Sequence, residues 1–221
     1  MELLEIMKAR HSVRKYLDKK IEEDVRRELS ALAEECNRES GLSIQILYDE
    51  PECYAGGILH YGFLKGVKNY IALVGKDEDG LDIKSGYYGE KLVLKAQELG
   101  LNTCWTYLTY SKGKCAAKVG ADERLACTIA LGYGADAGKP HKNKPLNKVC
   151  DCAENMPEWF AEGMEAVMLA PTAVNQQKFY FSLTGGEVTL KSGKGTCVGL
   201  DTGIVQYHFE AVTGHKVKII G

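Results

Sequence analysis

Gly89-Glu-Lys-Leu-Val-Leu-Lys-Ala-Gln-Glu-Leu-Gly100, followed at once by Leu101-Asn-Thr-Cys-Trp-Thr-Tyr-Leu108, is the stretch that decides the fold. The spacing predicts a helix over 86–99 that stops at Gly100, then a strand over 103–108. The same eleven-step interval between glycines recurs in Gly203-Ile-Val-Gln-Tyr-His-Phe-Glu-Ala-Val-Thr-Gly214, and again a β-rich segment follows, Lys216 to Ile220. Spacing alone allows two unrelated glycine-capped helices or a duplicated unit. Outward from these stretches, residues 2–9 and 21–36 read as helices, the second with Val25, Leu29, Leu32 and Cys36 on one face and Gly41 as its stop. Residues 43–48 alternate as a half-buried strand, and 69–74 and 125–132 read as further strands. A polar, basic loop at 136–148 precedes a helix from Pro157 to about Leu169, strands at 178–184 and 187–191, and a helix from Leu200 to Thr213. Helices and strands mix without regular alternation, which predicts an α+β fold. If the chain is duplicated, its boundary falls in the 136–156 loop, giving a half at 1–150 and a shorter one at 151–221.

Composition narrows the class. In 221 residues, 45% are hydrophobic and 26% charged, with a formal net charge of −2. That is ordinary globular usage and unlike a chain built to neutralise nucleic-acid phosphates. No apolar run approaches the roughly 18 residues of a membrane span. The opening MELLEIMKARHSVRKY does not read as a secretory signal, so the expectation is a cytoplasmic protein. The eight cysteines mostly sit in apolar segments, where a free thiol acts as a small hydrophobe. Cys150-Asp-Cys152 is the one close pair and has no partner pattern for zinc, so no metal site is expected.

Four segments could carry chemistry. In Arg10-His-Ser-Val-Arg14 the two arginines and Ser12 alternate, so an extended backbone projects them from one side, an arrangement suited to a phosphate. The same cations would also complement a helix C-terminus. Pro171-Thr-Ala-Val-Asn-Gln-Gln177 is rich in neutral hydrogen-bonding groups that can read a heterocycle or a polyol, and equally reads as a helix stop with turn residues. In the run to Trp105 and Tyr107, main-chain amides and rings could approach a flat ligand, although such runs are also core strand. In His141-Lys-Asn-Lys-Pro145, Lys142 and Lys144 could close over a phosphate or simply be solvated. Gly-x-Gly-x-x-Gly at a strand–helix junction, a Walker-type loop, Gly-x-Ser-x-Gly and His-Glu-x-x-His are all absent.

Together, Arg10-His-Ser-Val-Arg14, Gly89-Glu90 with the helix to Gly100-Leu101, Ala130-Leu-Gly-Tyr-Gly134, Lys144-Pro-Leu146 and Ala170-Pro-Thr-Ala-Val-Asn-Gln-Gln177 resemble the FMN-dependent nitroreductase family over most of the chain. One departure marks a subgroup. Ordinary members carry Pro-Ser-x-x-Asn-x-Gln near residue forty, where this chain has Cys36-Asn-Arg-Glu-Ser-Gly-Leu42; here the motif follows residue 170. The arrangement is similar to a tandem subgroup in which two units are fused into a pseudo-dimer, each having lost part of the site.

The resemblance implies a mixed sheet with flanking helices and an FMN site. Arg10, His11, Ser12 and Arg14 would hold the phosphate and ribityl chain, with Lys142 and Lys144 as the basic pair. Thr106 and Tyr107 lie where the family offers a main-chain N–H to flavin N5, and Pro171, Thr172, Ala173 and Asn175 match the segment lent by a partner subunit. It also implies ping-pong transfer from NADH or NADPH through FMN to a small acceptor such as a nitroaromatic or quinone, with no catalytic side chain. A non-catalytic flavin carrier, or another flavin reaction such as that of a dehalogenase or dehydrogenase, fits the same scaffold. Because each half carries only part of the motif pair, the expectation is one FMN per chain with a monomer sufficient to bind it.

Overall fold

In the computed structural model, residues 2–55, 64–151 and 156–220 are described. The elements are α1 (Leu3–Ala9), α2 (Glu23–Ser40), β1 (Gln45–Leu47), β2 (Asn69–Lys76), α3 (Leu81–Glu98), β3 (Asn102–Thr106), β4 (Glu123–Gly132), α4 (Glu158–Leu169), β5 (Phe179–Thr184), β6 (Glu187–Ser192), α5 (Val198–Thr213) and β7 (Val217–Ile220). The α+β expectation holds, with two sheets and five helices among the described residues.

The chain divides into two compact units that are interleaved in sequence. One comprises Met1–Lys8, Asp82–Glu90 and Pro140–Gly221; the other comprises Ala9–Leu81 and Lys91–Lys139. These units describe packing, whereas the halves 1–150 and 151–221 are an expectation of duplication read from the sequence alone.

The unit built on Ala9–Leu81 and Lys91–Lys139 holds the four-stranded sheet, in the order β1-β2-β4-β3, with all neighbours antiparallel. Strand β2 is buried along nearly its whole length, as its unbroken apolar run requires. Helix α2 ends at Gly41, whose φ of +73° places it in the left-handed region that lets its N–H close on the Asn37 carbonyl. The Asn37 side chain then bonds the N–H and C=O of Ile44 (2.7 and 3.0 Å), tying the helix end to the entry of β1.

The other unit carries the three-stranded sheet β5-β6-β7. A Gly185-Gly186 turn joins the antiparallel pair β5 and β6, and β7 lies parallel to β6. Phe209 of α5 stacks on Phe181 and meets Phe160 of α4 edge-on, centring this core on aromatic rings. The start of α3 crosses α5 at two glycines. A Cβ on Gly86 would lie 2.1 Å from the Leu200 carbonyl oxygen, and one on Gly203 would lie 2.0 Å from that of Ile83.

Helix α3 begins at Leu81, five residues before the expected start at Gly86, so that Gly86 and Gly89 stand inside it rather than at its head. Each glycine costs the helix about 1 kcal/mol relative to alanine, and at Gly86 the close backbone approach compensates. Helix α5 likewise starts earlier, at Val198, and β3 stops at Thr106 rather than Leu108. His208 and Glu90, both fully buried, join the helices of this unit: His208 Nε2 lies 3.0 Å from Glu90 Oε1, and its Nδ1 lies 2.8 Å from the Ala166 carbonyl on α4.

Candidate functional site

After α1 the chain runs extended and adds to the free edge of β3. Ser12 forms a parallel bridge with Thr103, and the Val13 N–H donates to the Thr103 carbonyl at 3.0 Å. Val13 is fully buried, which turns its neighbours Ser12 and Arg14 to the opposite side of the extended chain. Ser12 hydrogen-bonds the Cys104 thiol, and the charges of Arg14 and Arg10 act on it through space. Burial pushes this thiol up from its ordinary range, and those three groups pull against the rise. The alternation read from the sequence is therefore realised on one side of an anchored strand. Arg10 is 3% exposed, while Arg14 is exposed and reaches back to the Ser12 carbonyl.

His11 is held from the other direction, with Nδ1 3.3 Å from the Ala137 carbonyl. Gly138 closes this clamp. Its φ is +71°, and a Cβ there would stand 2.7 Å from the His11 Cβ and 3.1 Å from the Ser12 carbonyl oxygen.

Thr106 sits at the end of β3 opposite Thr128. Its hydroxyl donates to the Thr128 carbonyl (2.8 Å), and the hydroxyls of Thr106, Thr128 and Tyr54 form a buried triangle with edges of 2.7 to 2.9 Å. Burial raises the Tyr54 phenol well above its ordinary range. The Thr106 side chain is thus committed to the sheet, which leaves its main chain as the part able to meet a ligand. Tyr107 follows, half-buried, and Leu108 beyond it is 66% exposed.

The remaining residues gather in the other unit. Pro171 follows α4, and a 3-10 turn spans Ala173–Asn175. Three residues here have left-handed backbone without being glycine: Val174 (φ 46°), Asn175 (55°) and Gln177 (43°). For the β-branched Val174, which is 97% exposed, this conformation is costly. Side chains hold the loop in that shape. Buried Gln177 accepts from the Lys144 N–H (2.9 Å) and donates to the Lys142 carbonyl (2.8 Å) and to Asn175 Oδ1 (2.7 Å). Asn175 also donates to the Lys142 carbonyl. The Lys144 ammonium donates to the carbonyls of Gln176 and Gln177, at 2.8 and 2.9 Å. Lys142, Lys144, Thr172, Ala173 and Asn175 are therefore knit into one cluster, with Thr172 Oγ1 accepting from the Gln177 N–H.

Sequence reading missed the residue beneath that cluster. Asp201, on the first turn of α5 and 4% exposed, accepts from the Ala173 N–H (2.8 Å) and from the Gln176 amide (2.7 Å). Burial pushes its carboxyl up to about 6, and those two hydrogen bonds work against the rise. Gln177 was visible as the last residue of its motif, but its contacts lie more than thirty residues away in sequence. An acid in a first helical turn reads as a dipole partner, so nothing local marked Asp201.

Among the described residues no group of three or more His, Cys, Asp or Glu is placed to hold a metal, and no helix is long and apolar enough to cross a membrane. Cys152 and Asn155 lie outside the described residues.

No curated protein matches this sequence. Solved structures do. A "putative nitroreductase" from Thermotoga maritima superposes with a TM-score of 0.68 at 22% identity, covering 96% of this chain and 83% of its own. A "Putative NADH dehydrogenase/NAD(P)H nitroreductase" from Parabacteroides distasonis matches with a TM-score of 0.54 at 20% identity, over 66% of this chain and 95% of its own. A "Putative NADH Oxidase" from Clostridium acetobutylicum does so with a TM-score of 0.51 at 18% identity, over 65% and 96%. At these identities the likeness is one of fold. The family assignment comes from the sequence itself, since the family model described as "Putative TM nitroreductase" matches residues 2–213, nearly the whole chain, and the chain belongs to that family.

Proposed function

We propose that the chain is an FMN-dependent oxidoreductase that passes electrons from NADH or NADPH to a small acceptor such as a nitroaromatic or a quinone. Family membership supports the oxidoreductase class. The descriptions of the Parabacteroides and Clostridium structures support a nicotinamide as the reductant. The observation that carries the flavin reading is the main-chain-anchored segment that carries Arg10, Ser12 and Arg14 at alternate positions of one extended stretch.

The residues fit the group. A phosphate calls for forked, charge-assisted donors, and two arginines on a strand that is already ordered lose little freedom when they grip it. His11 and Ser12 would add polar contacts, and Lys142 and Lys144 positive charge, the latter with two N–H groups already on carbonyls. The Thr106 and Tyr107 main chain would face the reactive edge of the ring. Pro171, Thr172, Ala173 and Asn175 would meet it through a loop frozen by Gln177 and Asp201. When bound, FMN would supply acceptance of hydride from the nicotinamide and its delivery to the acceptor. The protein would bind, orient and exclude water, so no side chain is assigned a proton transfer. One FMN per chain, a monomer sufficient to bind it, and a cytoplasmic setting complete the proposal.

Titration with FMN and with riboflavin tests it. Arg14→Ala should weaken FMN at least about tenfold, since a charge-assisted hydrogen bond contributes about 1.5–3 kcal/mol, and should leave riboflavin nearly unchanged. Equal losses for the two ligands would remove Arg14 from the phosphate. Anaerobic addition of NADH then separates enzyme from carrier: bleaching of the bound-flavin absorbance is expected, and its persistence would favour the carrier.

A further inference from the structure

Away from the proposed flavin residues, two cysteines 62 positions apart come together. Cys53 closes a 3-10 turn at Pro51–Cys53, and Cys115 follows another at Lys112–Lys114. The Ser111 N–H donates to the Cys53 carbonyl (2.8 Å), and the Lys114 ammonium meets the Glu52 carboxylate (3.0 Å), so the two turns are fastened on both sides of the thiols. Cys115 packs against the buried cluster that holds Cys53 and Tyr70, and its thiol interacts with that of Cys53 and with the Tyr70 hydroxyl. That hydroxyl is itself fixed by the Ala116 N–H at 2.8 Å.

The two sulfurs are not equivalent. Cys53 is 1% exposed, in a cluster with Tyr70, Ala72, Val74 and Tyr110. Cys115 is half-exposed and lines a surface hollow of about 370 Å³. The hollow has both cations and carboxylates on its walls, Lys112 and Arg124 with Asp77 and Glu123, beside the apolar Val119. The hydrogen bond from Cys53 first, then the Ala117 N–H and Tyr70, lowers the Cys115 thiol against its burial, while the same pairing and burial raise Cys53. A lowered, accessible thiol beside a buried, raised one divides attack from resolution.

We propose that Cys53 and Cys115 form a redox-active dithiol whose substrate is a small zwitterionic disulfide bound in the hollow at Cys115. The Cys115 thiolate attacks one sulfur of the external disulfide, forming a mixed disulfide and expelling one thiolate, which takes a proton from water. Cys53 gives up its proton and attacks the Cys115 sulfur, forming the Cys53–Cys115 bond and expelling the second thiolate, which is protonated in turn. The two protein thiols are oxidised, and the external disulfide is reduced to two thiols. The sulfurs must close to about 2.05 Å, a movement within the two turns. This inference does not depend on the flavin reading.

Glutathione disulfide serves as the probe. Native full-length protein is treated with it, quenched in acid, alkylated, digested and mapped by mass spectrometry. The expected product has lost two of the eight alkylatable thiols and carries a Cys53–Cys115 bridge that dithiothreitol reverses. Cys53→Ser should stop at glutathione on Cys115, and Cys115→Ser should leave Cys53 unmodified. The wild-type map decides the matter even if a variant folds poorly. Overturning results are a wild-type protein with both thiols still alkylatable, one with glutathione retained on Cys115 and Cys53 free, or a bridge between other cysteines.

Discussion

Residues 10–14 are held by their backbone and offer side chains, whereas residues 171–177 are held by side chains and offer backbone. The first segment lies against β3 through a main-chain bridge and has ordinary extended geometry, so its arginines are spaced by the pleat alone. The second has three non-glycine residues in the left-handed region, kept there by Gln177, Asn175, Lys144 and Asp201. The first way of building a site needs only alternation and a free sheet edge. The second needs partners from distant parts of the chain, and it stores strain of order 1–3 kcal/mol per residue that those partners must offset.

The sharpest way to break the comparison is Gly138→Val. The substitution forces a branched residue to φ +71° and drives its Cβ against His11, so it should dislodge the anchored strand. Strain and overpacking together should cost about 2–5 kcal/mol, visible as a fall in melting temperature of roughly 5–15 °C. A variant that melts like the parent would show that backbone anchoring does not position the cations.

Gln177→Ala attacks the other segment. It removes the acceptor for the Lys144 N–H and the donor to the Lys142 carbonyl, at a cost of about 1–3 kcal/mol. Amide exchange at Lys144 should accelerate, and FMN and riboflavin should weaken together, in contrast to Arg14→Ala. If only FMN suffers, the loop serves the phosphate rather than the ring.

Asp201 supplies a pH signature. Its folded-state carboxyl lies at about 6, above the ordinary value near 3.9, so the folded protein binds the proton more tightly. Stability should therefore fall as pH rises from about 4 to about 6 and be level above that, by about 2–3 kcal/mol in all. Urea midpoints across this range should show the slope in the parent and lose it in Asp201→Asn; a slope that survives belongs to other groups.

The smallest effect should be a gain. Val174→Asn keeps the left-handed turn with a residue that tolerates it, and the 97% exposed valine gives up no burial. A stabilisation of about 0.5–1 kcal/mol is expected. A loss would mean that Val174 makes a contact outside the described chain.

The same contrast decides what sequence reading could reach. Gly41 and Gly214 as helix stops, the strands read at 69–74 and 125–132, and the alternation at Arg10, Ser12 and Arg14 follow from local periodicity and were legible. The first turn of α3 was not, because Gly86 read as the start of the helix rather than as a point inside it that α5 crosses. Asp201 under Ala173 and Cys115 beside Cys53 are long-range meetings between residues whose own neighbourhoods are unexceptional. Local rules find what a segment does by itself, and both of these arise from what two segments do to each other.

The interleaving of the compact units bears on inheritance. The chain passes from one to the other four times, at 8/9, 81/82, 90/91 and 139/140, and two of those passages fall within the single helix α3. No single cut separates the two units, because each is made of pieces on both sides of the other. Exchange of one unit for a relative's version would take several coordinated crossovers, two of them inside one helix.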